Sequence, residues 1–209
     1  MRTLAEGVHQ LKGMPPNAIN VYLVGDVLVD AGTPGARKRI LQQLAGHDVR
    51  THVVTHAHPD HFGSSHAVCE ALGVPLWTGE RDAEALENAK PVPAAGRVPA
   101  LMAKMKMPPG HPVDRRLRQG DEVAGFVVLD APGHSPGHIA LWRESDRTLV
   151  CGDVFFNVPR LRPPPGFLTV DLELNRASMR RLAELRPALA LFGHGPPLRD
   201  PGRLARVAA

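Results

Sequence analysis

His56-Ala57-His58-Pro59-Asp60-His61 is the stretch from which the fold of this chain can be read. It offers three imidazoles and one carboxylate within a single short turn of backbone. With 11 His among 209 residues, His-x-His-x-Asp-His is expected about 0.002 times by chance, so composition does not account for it. One turn cannot surround two cations, and further donors must come from other segments.

Three segments qualify, each an apolar run leading through glycine to a potential ligand. Phe126-Val127-Val128-Leu129-Asp130 leads to Pro132-Gly133-His134, and Thr148-Leu149-Val150-Cys151 leads to Gly152-Asp153. Ala188-Leu189-Ala190-Leu191-Phe192 leads to Gly193-His194, and Thr51-His52-Val53-Val54-Thr55 precedes His56. A buried strand holds its end rigidly, and glycine lets backbone turn sharply or approach a crowded centre. Four such ends on one sheet edge gather His56, His58, His61, His134 and His194 with Asp60 and Asp153. Imidazole and carboxylate donors without thiolate suit Zn²⁺, and also Mn²⁺, Fe²⁺ or Co²⁺. Seven donors on two ions leave coordination positions open, as a catalytic site requires.

On these residues the chain resembles the metallo-β-lactamase-fold hydrolase superfamily, glyoxalase II and lactonases included, over nearly its whole length. Asp30 in Val27-Leu28-Val29-Asp30-Ala31-Gly32, the His56 to His61 run, His134, Asp153 and His194 stand in the family's order. The resemblance implies an α/β (α+β) fold, a four-layer αββα sandwich. It implies two divalent metal ions, zinc first. His56, His58 and His134 would hold one ion, Asp60, His61 and His194 the other, and Asp153 would bridge them. It further implies a bridging hydroxide that attacks a small-molecule ester, thioester or lactone. Asp60 is then also the catalytic residue, orienting that nucleophile or carrying its proton. One rival is a mononuclear-iron persulfide dioxygenase using His56, His134 and Asp153. Another is a non-catalytic ligand-binding or sensor protein on the same fold, although a binding module has no need of an open dinuclear centre.

The other histidines read differently. His9, His47, His66 and His111 are expected in loops or facing solvent, and His52 lies in a strand and could point either way. His138, in Pro136-Gly137-His138, is expected to hydrogen-bond the loop that carries His134. Asp30 and Asp130 end strands and read as supporting or turn residues. Cys151 shares a strand face with Asp153, but the family motif uses the carboxylate. Two cysteines, Cys69 and Cys151, are too few for a disulfide framework and point to a reducing compartment. No segment reads as a signal peptide or membrane span, so the cytoplasm is the expected location.

No linker or low-complexity tract divides residues 1–209, which are expected to form one domain. The net charge of +4 does not signal nucleic acid, because the basic residues are scattered. Their tightest group is Arg115, Arg116 and Arg118, with acids nearby. Hydrophobic patterning predicts strands near 19–24, 26–30, 50–55, 74–78, 126–130, 138–142, 147–151 and 188–192. Helices are expected over about 35–46, 63–72, 80–89, 172–185 and 201–207.

Two segments read as the substrate side. Residues 88–112 form a candidate cap insertion, where prolines surround Leu101, Met102, Met105 and Met107, and flexible methionines can adapt to an acyl chain. The chain after Asp153 must run along the metal pocket, which makes Phe156 and Asn157 candidate wall residues. Phe156 stands where lactonases of the family carry a tyrosine. Only 15 residues follow His194 (209 − 194), too few for the C-terminal domain with which glyoxalase II grips glutathione. A glutathione thioester is therefore disfavoured, and the substrate is expected to be a small molecule, with no nucleic acid and no membrane as partner.

Overall fold

The computed structural model describes residues 1–90, 92 and 107–209. Two sheets stack face to face. The first holds seven strands in chain order: β1 (Arg2–Ala5), β2 (Val8–Gln10), β3 (Tyr22–Val24), β4 (Val27–Val29), β5 (Thr51–Val54), β6 (Leu76–Gly79) and β7 (Arg115–Leu117). Its first four strands are antiparallel neighbours, and β4 through β7 run parallel. The second holds β8 (Glu122–Val123), β9 (Phe126–Asp130), β10 (Ile139–Arg143), β11 (Thr148–Gly152) and β14 (Leu189–Phe192). Its spatial order is β14-β11-β10-β9-β8. A short hairpin pairs β12 (Phe156–Asn157) with β13 (Leu161–Arg162).

Strand alternation sorts the side chains into layers. Tyr22, Val24, Val27, Val29 and Val53 point between the sheets and meet Phe126, Val128, Ile139, Leu141, Val150, Leu189 and Leu191. Leu23 and Leu28 point the other way, onto Ile40 and Leu44 of α1 (Arg37–Leu44) and Val68 of α3 (Ser65–Leu72). Behind the second sheet, Ala140, Leu149 and Ala190 pack on Met179 and Leu182 of α5 (Leu172–Glu184) and Leu204 of α6 (Pro201–Ala208). Asp171 and Asp200 cap those two helices by accepting from Leu174 and Arg203 backbone N–H groups, which fixes where each begins. With α4 (Glu80–Glu87) beside α3, the layers are helix, sheet, sheet, helix, the αββα sandwich expected.

The eight expected strands and five expected helices all form, with ends shifted by three residues at most. The expected 19–24 strand shortens to β3 because Asn20 turns its side chain to a distant loop. Short elements without a hydrophobic run were not anticipated: β1, β2, β7, β8, β12, β13 and the one-turn helix α2 (Pro59–Phe62).

Topology aligns the four predicted strand ends. β9 and β11 both pair antiparallel with β10, so they share a direction, and β14 runs parallel to β11. Their C-terminal ends therefore lie on one edge, where His134, Asp153 and His194 follow them.

Candidate metal centre

β5 delivers the chain to this edge at Thr55. His58 is extended (φ −97°, ψ 143°) and Pro59 follows at the first helical position, so α2 starts at once and sets Asp60 and His61 beside His56. His56, His61, His134 and Asp153 are buried, whereas His58, Asp60 and His194 keep a solvent face.

All seven predicted donors converge. His56 Nε2 lies 3.1 Å from His58 Nδ1. His61 Nε2 lies 3.4 Å from His194 Nε2, and Asp60 Oδ2 lies 3.2 Å from His194 Nε2. Asp153 stands between the two groups. Its Oδ2 is 3.8 Å from His56 Nε2, 3.4 Å from His134 Nε2, 3.4 Å from His61 Nε2 and 3.2 Å from His194 Nε2. His56, His58 and His134 form one compact donor set, and Asp60, His61 and His194 form another.

Two tests show that a cation fits. Zn–N bonds of about 2.0–2.1 Å in a tetrahedral shell put donors about 3.3–3.4 Å apart, and these separations, 3.1–3.8 Å, bracket that value. His134 Nε2 and Asp153 Oδ1 are also buried with no hydrogen-bond partner, a costly arrangement for polar atoms closed off from water.

Charge in the pocket follows from the carboxylates. Burial opposes it, but Asp153, Asp30 and Asp60 raise His61 well above the ordinary imidazole value. Burial likewise opposes the rise at His194, where the Asp153 carboxylate wins and lifts the ring to about 10. Burial, with His134 next to it, lowers His58 to about 3. Burial, then the neighbouring His61 and His58, takes His56 well below its usual range. Against burial, His61 and His194 hold Asp60 at about 2 and Asp153 well below the carboxylate range.

Supporting hydrogen bonds fix which nitrogen each ring presents. His61 Nδ1 donates to Asp30 Oδ2 at 2.8 Å, and His194 Nδ1 donates to the Ala18 carbonyl at 2.5 Å. With Nδ1 taken up by those acceptors, Nε2 is the nitrogen that each ring turns into the centre. Asp30 also accepts from the Thr55 N–H and Oγ1, and Thr55 Oγ1 is 3.0 Å from His56 Nδ1. One carboxylate, in a left-handed backbone conformation (φ 61°), thus orients both ends of the motif, the supporting role expected of it.

Glycine matters at two points. A Cβ at Gly193 would overlap Asp153 Oδ1, and one at Gly152 (φ 49°) would lie 2.7 Å from His138 Nε2.

His138 differs from expectation. Its Nε2 accepts from the Asp153 N–H at 3.0 Å, so the side chain positions the strand end bearing Asp153 rather than the His134 loop. The Asn157 side chain donates to the Pro196 carbonyl and braces the His194 loop. Phe156 stacks on His194 with ring centres 4.5 Å apart and lies 6.1 Å from His134, so its ring flanks both donor sets. Met105 lies outside the described residues. His52 points away from the centre, to Leu28 O and Ser65 Oγ. Cys151 Sγ donates to the Leu191 carbonyl, and Asp130 is exposed.

Asp82 is the residue sequence reasoning missed. Fully buried on α4, its Oδ2 accepts from the Ala57 N–H at 2.9 Å and from Ser135 Oγ at 2.5 Å. Its Oδ1 accepts from the Gly137 N–H at 2.6 Å. It ties the His56–His58 turn to the loop behind His134.

The model of the metallo-beta-lactamase superfamily matches residues 14–194. The probable metallo-hydrolase YflN of Bacillus subtilis is 30% identical over 93% of this chain and 86% of its own length. Hydroxyacylglutathione hydrolase GloC of Haemophilus influenzae is 28% identical over 80% of this chain and 79% of its own. The solved structure of TTHA1623 in a di-iron-bound form superposes with a TM-score of 0.67 at 27% identity, covering 99% of this chain and 96% of that one. The order of the donors, the sandwich that gathers them and these likenesses agree: the chain belongs to the metallo-beta-lactamase superfamily of metallo-hydrolases.

Proposed function

We propose that this protein is a dinuclear metallo-hydrolase of small acyl substrates, a thioester first among them, with esters and lactones of the same class. The observation that carries this reading is Asp153 Oδ2, set within 3.8 Å of one ring nitrogen or more from each of two complete donor sets. His56, His58 and His134 would hold one divalent ion, Asp60, His61 and His194 the second, and Asp153 both. When bound, the ions supply Lewis acidity and lower the pKa of coordinated water, which makes hydroxide available near neutral pH.

The chain's own residues do the rest. Asp60, 35% exposed at its side chain, faces the open side as a carboxylate and can take a proton and pass it to a leaving group. Phe156 gives an apolar wall beside both donor sets, suited to excluding water and seating an acyl group. The second donor set is complete, which favours hydrolysis over mononuclear-iron persulfide chemistry. Zinc is the first choice of metal, and the di-iron form of TTHA1623 keeps iron beside it.

GloC supports the thioester. It is matched over 79% of its length, so the short tail after His194 does not argue against a hydroxyacylglutathione. Arg115, Arg116 and Arg118 each pair with a carboxylate, Asp121, Glu87 and Glu80, which supports a small-molecule substrate over nucleic acid. Among the described residues no helix is long and apolar enough to cross a membrane, and both cysteines are free. We place the protein in the cytoplasm and read 1–209 as one domain. The expected cap insertion, 88–112, lies mostly outside the described residues; Val92 and Met107 within it, and Val113 just beyond it, pack beside Phe62 and Leu86.

The test is a panel of hydroxyacylglutathione, simple thioesters, lactones, phosphodiesters and β-lactams with Zn-, Mn- and Fe-loaded protein. Thioester hydrolysis that chelation abolishes is expected. Oxygen uptake on a persulfide, with one iron per chain and no hydrolysis, would transfer the assignment to the dioxygenase.

Metal binding should release protons. At neutral pH the metal-free His61 and His194 are protonated, while Asp60 and Asp153 are already ionised. Ligation needs neutral imidazole, so loading both ions at pH 7 should release about two protons, one from each ring. Affinity therefore rises with pH, and the share owed to His194 fades above about 10, where that ring has lost its proton. Calorimetry in buffers of different ionisation enthalpy measures the release. A count near zero would contradict this charge distribution.

A further inference from the structure

A second group of potential ligands lies outside the centre and shares no residue with it. His66 and Glu70 are four residues apart on α3, hence on one helix face. His111 comes to them from the segment that begins at Met107. His66 Nδ1 and His111 Nδ1 face each other at 3.2 Å, with ring planes at 67°. The three donor atoms of His66, Glu70 and His111 all lie within 4.8 Å of one another.

No local pattern joins these residues, since His66 and His111 are 45 positions apart. A single hydrogen bond can join two imidazoles, but it leaves Glu70 without a part. A cation uses all three. The 3.2 Å between ring nitrogens is close to the about 3.3–3.4 Å that two nitrogens keep on a tetrahedral Zn²⁺. Burial, and next the neighbouring His66, lower His111, which keeps its ring in the neutral form that ligation needs. Glu70 is exposed, and its side chain is free to swing onto an ion.

We propose that His66, Glu70 and His111 form a third metal site, for a divalent transition ion of the zinc class, with solvent completing its shell. Two imidazoles and a carboxylate select such an ion over Mg²⁺ or Ca²⁺. The ion would pin residues 107–113 to α3. Met107 and Val113 already pack there against the cluster that contains Phe62, Cys69 and Leu86.

The experiment is metal counting on the untagged full chain, equilibrated with Zn²⁺ and read by native mass spectrometry and elemental analysis. The expected result is three ions per chain, falling to two in His111→Ala. Glu70→Gln, a conservative change at an exposed position, should weaken that third ion at least about tenfold, which keeps the test valid if His111→Ala folds poorly. Asp153→Ala separates this site from the centre. It should keep the His66 ion and lose the others, and the double variant Asp153→Ala/His111→Ala should bind none. Wild-type protein that never exceeds two ions, or a third ion unaffected by both His111→Ala and Glu70→Gln, would overturn the proposal.

Discussion

Asp153→Ala is expected to empty both cation positions of the centre and abolish hydrolysis. Its Oδ2 is the one oxygen shared by the two donor sets, and its Oδ1 has no other partner. Without it each set keeps three donors but loses the charge that draws two dications into one pocket. Two dications then repel each other, because among the donors only Asp60 remains to neutralise them. Occupancy of these positions should fall at least about tenfold, and turnover by more than the ~10²–10³ that one lost electrostatic donor costs. The same change removes the main cause of the raised His194 value, so that ring should titrate well below about 10. Metal analysis, kinetics and NMR titration of His194 read these outcomes together. Two ions retained at the centre with full activity would end the bridging assignment.

Asp82→Ala is expected to produce the largest loss of stability among variants that touch no donor. The substitution orphans the Ala57 and Gly137 N–H groups and the Ser135 hydroxyl at a site closed to water. Each buried unpaired group costs about 1–3 kcal/mol, so for three groups the sum is on the order of 3–9 kcal/mol. That is a large share of the about 5–15 kcal/mol that holds a typical protein folded. Asp82→Asn should not rescue it, since its amide nitrogen would face a donor. Denaturant unfolding of metal-free protein measures the loss, and metal affinity should drop as well because the His56–His58 turn loosens. Unchanged midpoints would show that water replaces the carboxylate.

The contrast between Asp82 and Asp60 explains what could be read from sequence. Asp60 lies in a six-residue run whose composition alone is improbable, and the strands ahead of His134, Asp153 and His194 are apolar enough to locate. Asp82 sits in Glu80-Arg81-Asp82-Ala83-Glu84, which reads as a solvated helix face. Its partners are chiefly backbone N–H groups of distant loops, and backbone leaves no mark in a sequence. The bracing bond of Asn157 is hidden for the same reason, since its partner is the Pro196 carbonyl. β1 and β2 escaped notice because Arg2-Thr3-Leu4-Ala5 and Val8-His9-Gln10 alternate too briefly to show a period, and pairing alone makes them strands. The approach of His66 to His111 depends on how the chain returns after residue 106, which no local pattern encodes.

Each donor set borrows from both sheets. His56 and His58 hang from β5 while His134 follows β9; Asp60 and His61 stand beyond β5 while His194 follows β14. An ion seated in either set is therefore a rivet through the seam of the sandwich. Freshly synthesised chain would have its loosest margin there, and acquiring metal would be the last act of assembly as well as the first of catalysis.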